Sequence, residues 1–305
     1  MQNPRLIISL DFELHWGVFD TYGESYNDNI IGARVAIPKI LALFKKYNIH
    51  ATWAIVGFLF NEDKNDYARY KPILKPLYND QKLNSYDCTI GENEDSDKIH
   101  YAHSLIKLIQ ECPNQELASH SYSHYYCQAE GQTIEQFDDD IKSAVSIAKD
   151  KFSLDLNSFV FPKNQVNYEY LEVLKKYSFS IFRDSHPAKF ESVFFERAFR
   201  LINTFFKLSK YSLNTSNEHH GLKAIKGDRF LRPYTFPFLN YLMIRRVKNE
   251  MTFAAKNNSI YHLWWHPHNF GKNLDKNLNN LVEILLKYKD LQKKYNMDSV
   301  SMRDI

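Results

Sequence analysis

Apolar runs that alternate with helix-like segments constrain the fold of this chain more than any other feature. Strands are predicted where short apolar or β-branched runs occur, at residues 6–10, 51–56, 116–119, 158–161, 180–183 and 260–265. Helical periodicity predicts helices between or after these runs, at 137–152, at 278–295 and around Ile37, Ile40, Leu41 and Phe44, with Pro38 in the first turn of that helix and Asn48 beyond its end. Strands that alternate with helices indicate a parallel sheet, either open and doubly wound or closed into a barrel. No repeat or linker divides the 305 residues, so we predict one α/β domain over residues 1–305, with a loop-rich insertion around 61–98.

Composition excludes several classes of function. The net charge of +3 is small and the basic residues are spread along the chain, which argues against a nucleic-acid-binding protein. The sequence has only nine glycines, and it contains neither a GxGxxG motif nor a P-loop. Its three cysteines have no CxxC spacing, so neither a disulfide framework nor a zinc ribbon is predicted. With no charged-then-apolar signal pattern, we expect a reducing, cytoplasmic location.

One stretch leaves a membrane contact open. Residues 234–244 (YTFPFLNYLMI) are apolar and flanked by Arg232, Arg245 and Arg246, a pattern that fits a segment lying on a membrane surface. We favour the alternative, a loop with Pro233 and Pro237 that leads into a core helix. No stretch reaches the roughly 20 apolar residues of a membrane span.

Polar residues follow most of the predicted strands. Catalytic groups gather at the carboxyl ends of parallel strands in α/β proteins. The residues found at such positions are Asp11, His120, Pro162, Asp184 and His266. We therefore expect one active site at this edge of the sheet.

His120 and His124 are the first candidate metal ligands. On a helical turn, residues four apart share a face, so two imidazoles can hold one cation. Asp11 and Glu13 can supply the third, hard oxygen ligand, since both face one side of an extended backbone while Phe12 packs behind. One of the two acids then binds the metal and the other handles protons. The alternative for the two acids is a solvated strand end with a helix-capping carboxylate, which the histidine pair makes the weaker interpretation.

His266 is the candidate proton donor. It follows the run 260–265 and precedes Pro267, which fixes a turn. His268 either belongs to the same site or only hydrogen-bonds a loop, and we leave both interpretations open. His262 lies inside the predicted strand, where residues four apart are about 13 Å distant, so we interpret it as structural.

Three motifs together resemble the NodB-type polysaccharide deacetylases, the carbohydrate esterase family 4. "SLDFE" resembles the first motif of that family, "SHSYSH" its His-x-x-x-His motif and "LWWHPH" its closing Leu-x-His motif. "ATWAIVG" is similar to the second strand of the family. The resemblance spans about residues 5–270 and implies a distorted (β/α) barrel that hydrolyses an N- or O-acyl group, usually acetate from an amino sugar, at one divalent cation, commonly zinc.

Carried over by position, the resemblance implies a role for each motif residue. Asp11 corresponds to the general base and His266 to the general acid, while the metal ligands are Glu13, His120 and His124. Two departures stand out. Glu13 replaces the more usual Asp, and "VFPKN" places Val160 where the family has the arginine of Arg-x-Pro-x-Gly. We predict that Arg183, or failing that Lys163, replaces this arginine, since a cation within about 4–6 Å keeps a carboxylate ionised.

The substrate class follows less directly. Trp16 and Trp265 are the predicted stacking surfaces for sugar, and Arg232 is a candidate substrate contact. A cytoplasmic location favours a nucleotide- or lipid-linked amino sugar, or a short oligosaccharide, used to build a surface glycan. Two alternatives are an amidohydrolase acting on a small ureide-type amide and a non-catalytic sugar-binding relative. The intact set of acids and histidines argues against the second.

Overall fold

A computed structural model of the chain describes residues 3–186, 192–206, 208 and 211–305. Its strands are β1 (Arg5–Phe12), β2 (Ala51–Ile55), β3 (Gln115–Ser119), β4 (Ser158–Val160), β5 (Ile181–Asp184), β6 (Asn217–His219), β7 (Leu222–Lys226), β8 (Arg229–Phe230), β9 (Ile260–Trp265) and β10 (Asp298–Val300). Its helices are α1 (Asn27–Tyr47), α2 (Lys64–Tyr70), α3 (His103–Glu111), α4 (Ile134–Phe152), α5 (Leu171–Lys176), α6 (Val193–Phe205), α7 (Pro237–Lys256) and α8 (Leu274–Tyr295).

The described strands form a single sheet in the order β6-β7-β5-β4-β3-β2-β1-β9-β8, and β10 also pairs with β1. Neighbouring strands are parallel except for the β6–β7 pair. The sheet curls into an incomplete barrel, since β6 and β8 end the path without pairing to each other in the described residues. The predicted distorted (β/α) barrel in a single domain is confirmed.

The alternation of side chains along β1 separates two environments. Its even-numbered apolar residues belong to the main hydrophobic core, which contains buried residues of α1, α4, α7 and α8. Ile7 instead joins a small cluster with inward-facing residues of other strands, among them Val160 of β4 and Ile225 of β7. Ser9 and Asp11 continue that inner row toward the carboxyl end of β1. A buried, polar inner surface therefore leads to the edge where Asp11 lies.

Several local predictions need correction. Pro38 lies inside α1 and not in its first turn, because the helix already begins at Asn27. The helix ends at Tyr47, and Asn48 lies beyond it as expected, with a left-handed φ of 52°. Four strands, β6, β7, β8 and β10, were not predicted, because they are short and contain charged residues in place of an apolar run.

Two other segments have distinct structures. Residues 61–98 contain α2 and short 3₁₀ turns. Within 234–244, a loop leads into α7, which buries Met243 and Ile244 and leaves Phe238 exposed. Among the described helices, none combines the length and the apolar character needed to cross a bilayer.

Candidate active site

Glu13 is the centre of the cluster at the carboxyl edge of the sheet. Its Oε2 atom lies 3.3 Å from Nε2 of His120 and 3.1 Å from Nε2 of His124. Its Oε1 atom lies 3.3 Å from Nε2 of His266. Asp11 lies on the same side, with Oδ2 3.8 Å from that His266 nitrogen. The fold thus brings together the five residues named from the three motifs, although they are up to 255 positions apart in sequence.

The predicted helical turn between His120 and His124 is wrong. Both residues lie in a loop after β3, where His124 and Ser121 adopt left-handed φ values of 58° and 60°. Asp140 of α4 holds this loop, since its carboxylate accepts hydrogen bonds from the backbone N–H groups of Tyr122 (2.7 Å) and Ser123 (3.0 Å). The imidazoles therefore converge because the loop is anchored, and not because of helical periodicity.

Asp140 is a residue that sequence reasoning missed. It is fully buried on α4, three residues after Phe137 and four before Ala144, both of which are buried as well. A carboxylate on the apolar face of a predicted helix needs buried donors, and that was the available signal.

The three predicted metal ligands, Glu13, His120 and His124, fit a divalent cation. Ligand atoms about 2.0–2.2 Å from a tetrahedral cation are about 3.3–3.6 Å apart, close to the separations around Glu13 Oε2. His120 donates its Nδ1 proton to the carbonyl oxygen of Val160 at 2.8 Å, so its Nε2 lone pair faces the carboxylate. Burial lowers the pKa of His124 to about 4, so this imidazole is neutral near pH 7. Although burial alone raises the pKa of Glu13, the surrounding imidazoles hold it well below its usual value.

Gly17 provides the space for the long arm of Glu13. A Cβ atom added at Gly17 would lie 1.9 Å from the Glu13 carboxyl carbon, closer than any real contact. The short 3₁₀ turn Leu14–Gly17 brings the glycine back over the carboxylate. The absence of a side chain at Gly17 thus leaves room for the Glu13 carboxylate, a relation that the three motifs do not include.

Arg183 forms a bidentate ion pair with Asp11. The two guanidinium nitrogens donate to the two carboxylate oxygens at 2.7 and 2.6 Å, and both side chains are almost fully buried. Burial raises the pKa of Asp11, but Arg183 outweighs this effect, so the pKa lies below its ordinary value. Val160 and Arg183 are partners in the β4–β5 register. The guanidinium thus comes from the strand next to the one that carries the family's arginine.

Other contacts fix the Arg183 side chain. It donates to Ser9 Oγ at 3.1 Å and to Asn164 Oδ1 at 3.0 Å, and its guanidinium lies 4.4 Å from the centre of a Trp264 ring. Ser9 Oγ also contacts His262 Nε2 at 2.8 Å, which gives this buried histidine a structural role in the same network.

Lys163, the second candidate to replace the arginine, points elsewhere. Its ammonium group donates to the Gly17 carbonyl and to Asp20, each at 3.1 Å. Asn164 follows it with a φ of 55°, in the left-handed region. Asn164 occupies the glycine position of Arg-x-Pro-x-Gly, and its amide oxygen contacts Arg183.

His266 is the most accessible of the five motif residues. Its side chain is 21% exposed, whereas that of Glu13 is 4% exposed. Nδ1 lies 3.3 Å from Asn269 Oδ1, within the 3₁₀ turn Pro267–Phe270 that follows β9. His266 Nε2 therefore faces the two carboxylates from the open side of the cluster.

His268 belongs to the cluster as well. Together with Glu13 and His266, it offers ligand atoms that all lie within 4.8 Å of one another. The side chain is buried, and burial lowers its pKa to about 3. Among the described residues, the cluster thus contains a second group of three possible ligands.

The two tryptophans predicted to stack on sugar cannot do so, because both are buried. Trp16 stacks on Phe58 with ring centres 4.1 Å apart, and its indole N–H donates to the His100 carbonyl at 3.0 Å. Trp265 is fully buried and stacks on Phe270. Trp264 is the partly exposed indole of β9, on the face opposite Trp265 because adjacent strand residues point to opposite sides.

The Arg232 guanidinium lies 5.8 Å from the centre of the Phe230 ring, which is 5.6 Å from the centre of the His266 ring. Arg232 lines a cavity of about 600 Å³ that also includes Trp264, Asn164 and Asp184. Its Nε atom donates to Thr204 Oγ1 at 3.2 Å. No carboxylate of the described residues forms an ion pair with it, so its charge is available to a ligand in the cavity.

Comparison with known proteins identifies the family. Residues 25–182 match the family model for polysaccharide deacetylases. The chain belongs to the polysaccharide deacetylase family. The resemblance predicted from three motifs is thus confirmed, and the matched region contains His120 and His124, whereas Glu13 and His266 lie outside it. No curated protein matches the chain significantly.

Solved structures of provisionally described polysaccharide deacetylases share the fold. A protein from Mycobacterium smegmatis superposes with a TM-score of 0.58 at 10% identity, covering 99% of this chain and 89% of the other. A protein from Pseudomonas aeruginosa PAO1 gives a TM-score of 0.55 at 10% identity, with 98% and 88% covered. At this identity, the two deacetylase structures support the fold alone.

Proposed function

We infer that the chain is a metal-dependent hydrolase that removes an acyl group, in the first place N-acetyl, from an amino sugar or a glycan precursor. One observation carries the proposal. Glu13 lies within 3.3 Å of the two imidazoles of His120 and His124, with the Asp11–Arg183 pair on one side and His266 on the other. Membership in the polysaccharide deacetylase family supports acyl hydrolysis as the reaction.

In this proposal the cation is held by Glu13, His120 and His124. We propose Zn²⁺, since two imidazoles and one carboxylate form a set typical of catalytic zinc sites. A cation bound there supplies Lewis-acid activation of the acyl carbonyl and of the attacking water. Because all three ligand side chains are buried, bulk water has little access to that face of the site.

Asp11 is the proposed general base. Arg183 keeps it ionised near pH 7, so the carboxylate can accept the proton of the attacking water. Each carboxylate oxygen has two lone pairs, so the bidentate contact leaves one on each oxygen free. Arg183 acts through Asp11 and is therefore a positioning residue.

His266 is the proposed general acid. Protonated, it donates to the leaving nitrogen when the carbon–nitrogen bond breaks, a step that an amide needs because its amine is a poor leaving group. Its partly exposed position next to Glu13 and Asp11 allows it to exchange protons with solvent.

The cavity beside Trp264 suggests the kind of substrate. Its volume of about 600 Å³ and the charge of Arg232, which has no carboxylate partner among the described residues, suit a sugar that carries an anionic group. A nucleotide- or lipid-linked amino sugar destined for a surface glycan has such a group in its phosphate. The cytoplasm is the proposed compartment, where the free thiols of Cys88, Cys112 and Cys127 are stable. We propose further that the deacetylase domain extends over residues 1–305.

Acetate release tests the proposal. The purified protein, loaded with Zn²⁺, is incubated with N-acetylated amino-sugar oligosaccharides and with sugar nucleotides, and acetate and free amine are measured. We expect release that a chelator abolishes, and that Asp11→Asn lowers by at least about 10²-fold. The matched control is Asp155→Asn, since this aspartate is exposed and pairs with Lys149 at the surface. Turnover of cyclic amides but not of any N-acetyl sugar would instead indicate the amidohydrolase, and metal-independent sugar binding without turnover would indicate a non-catalytic protein.

A further inference from the structure

The two oxygens of Glu13 face different imidazoles. Oε2 faces His120 and His124, whereas Oε1 faces His266. A carboxylate in this position can bridge two cations, and bridged pairs in proteins are about 3.5–4 Å apart. His120, His124 and Oε2 make up the cation site already described. Oε1 and His266 are not part of that site.

His268 completes a second group. It is buried, and its Nδ1 atom has no hydrogen-bond partner among the described residues. Its ring is nearly parallel to that of His266, with an interplanar angle of 12° and 4.9 Å between centres. A buried imidazole nitrogen without a partner is costly unless something binds it.

The turn that carries both imidazoles is firmly packed. It follows β9 and ends at Gly271, which lies against α1 so closely that a Cβ atom at Gly32 would be 2.3 Å from the Gly271 carbonyl oxygen. A rigid turn holds the two rings in place before any ligand arrives, which lowers the entropic cost of binding.

We propose that Glu13, His266 and His268 form a second cation site, joined to the first through the Glu13 carboxylate. The second site is the weaker of the two. Arg183 already neutralises Asp11, so Glu13 is the main uncompensated negative charge for both cations. His266 is also partly exposed, so water competes for this position more than for the buried pair, His120 and His124. The first site therefore fills first, and the second fills as the cation concentration rises.

The second site has a consequence that rests on the proposed function. A cation on Nε2 of His266 occupies the lone pair that would carry the proton to the leaving amine. Deacetylation therefore rises with cation concentration while the first site fills and falls when the second one does.

Cobalt binding tests the second site without any substrate. The full chain is stripped with a chelator and titrated with Co²⁺, whose visible absorption reports imidazole coordination, and bound metal is counted after equilibrium dialysis. We expect the wild type to bind two equivalents in two steps and His268→Asn to bind one. The matched control is His103→Asn, which replaces another buried histidine, one whose Nδ1 donates to the Phe60 carbonyl at 3.0 Å. This variant should bind two equivalents.

Three results would overturn the proposal: a wild type that saturates at one equivalent, a second step without a change in absorption, or a folded His268→Asn that still binds two. If His268→Asn fails to fold, the wild-type titration decides alone. The two proposals fail separately. A chain that binds two cations but releases no acetate keeps the second site and loses the deacetylase, and one that deacetylates with a single cation does the reverse.

Discussion

Removing the Arg183 guanidinium should expose the cost of a buried, unpaired carboxylate. Asp11 and Arg183 are 3% and 1% exposed and share two short hydrogen bonds. Arg183→Met keeps most of the side-chain volume but deletes the charge. Breaking a buried ion pair on one side typically costs about 3–5 kcal/mol of unfolding free energy. We expect a loss of this size near pH 7.

The loss should depend on pH in a defined direction. In the wild type, the pKa of Asp11 lies below its ordinary 3.8, so the pair stabilises the fold above about pH 4 and less in more acidic solution. In Arg183→Met, burial acts without Arg183 and raises the pKa of Asp11 above 3.8. The deficit is then full above this raised pKa and shrinks as the pH falls through it, because the neutral acid tolerates burial.

Urea denaturation at several pH values between 5 and 8 measures both effects. The double variant Asp11→Asn/Arg183→Met should lose less than the sum of the single variants, since it leaves no uncompensated buried charge. Arg69→Met is the control, because Arg69 is 71% exposed and its pair with Asp150 is long, at 3.8 Å. A loss below 1 kcal/mol in Arg183→Met, or one that does not shrink in acid, would refute the reasoning.

Three further predictions concern other parts of the site. Gly17→Ala should displace the Glu13 carboxylate and weaken Zn²⁺ binding by about 10–100-fold in calorimetric titration, whereas Gly23→Ala, which adds a methyl group in open space, should not. Asp228, which follows β7 and accepts a hydrogen bond from the His262 backbone N–H at 2.8 Å, is buried, and burial raises its pKa to about 7. Its protonated form therefore stabilises the fold in acid, and this stability is lost as the pH rises to about 7. Asp228→Asn should therefore unfold at a higher temperature than the wild type at pH 9, and an equal or lower midpoint contradicts this. His266→Ala should lower turnover of an N-acetyl sugar far more than that of an activated acetate ester, and equal losses argue against a proton donor.

The sequence predicts the features of the fold that depend on local pattern. Apolar runs predict buried strands such as β1 and β9. Because the two strands are parallel, the polar residues that follow them lie at the same edge of the sheet. Asp11 and His266 follow two such strands, so both are predicted to lie at the same edge of the sheet. Because residues two apart in a strand point to the same face, Ser9 is expected to face inward together with Asp11.

The remaining features depend on contacts that sequence spacing does not encode. Trp264 and Trp265 are adjacent in β9 and so point to opposite faces of the sheet. Because the apolar run of β9 is continuous, its sequence does not show which of the two faces the core. The convergence of His120 and His124 depends on Asp140, a residue of another element. A helical interpretation of the HxxxH spacing could not include it.

The arginine that moved between strands shows which part of the motif the fold constrains. Neighbouring parallel strands are about 4.8 Å apart, less than the length of an arginine side chain. Because Val160 and Arg183 are register partners, a guanidinium can approach Asp11 from either strand at the same height. The approach from β5 needs extra support, which Ser9, Asn164 and the Trp264 ring provide. Asp11 therefore requires a buried guanidinium at its own level in the sheet. Either β4 or β5 can carry the arginine, provided that the surrounding side chains hold it in position.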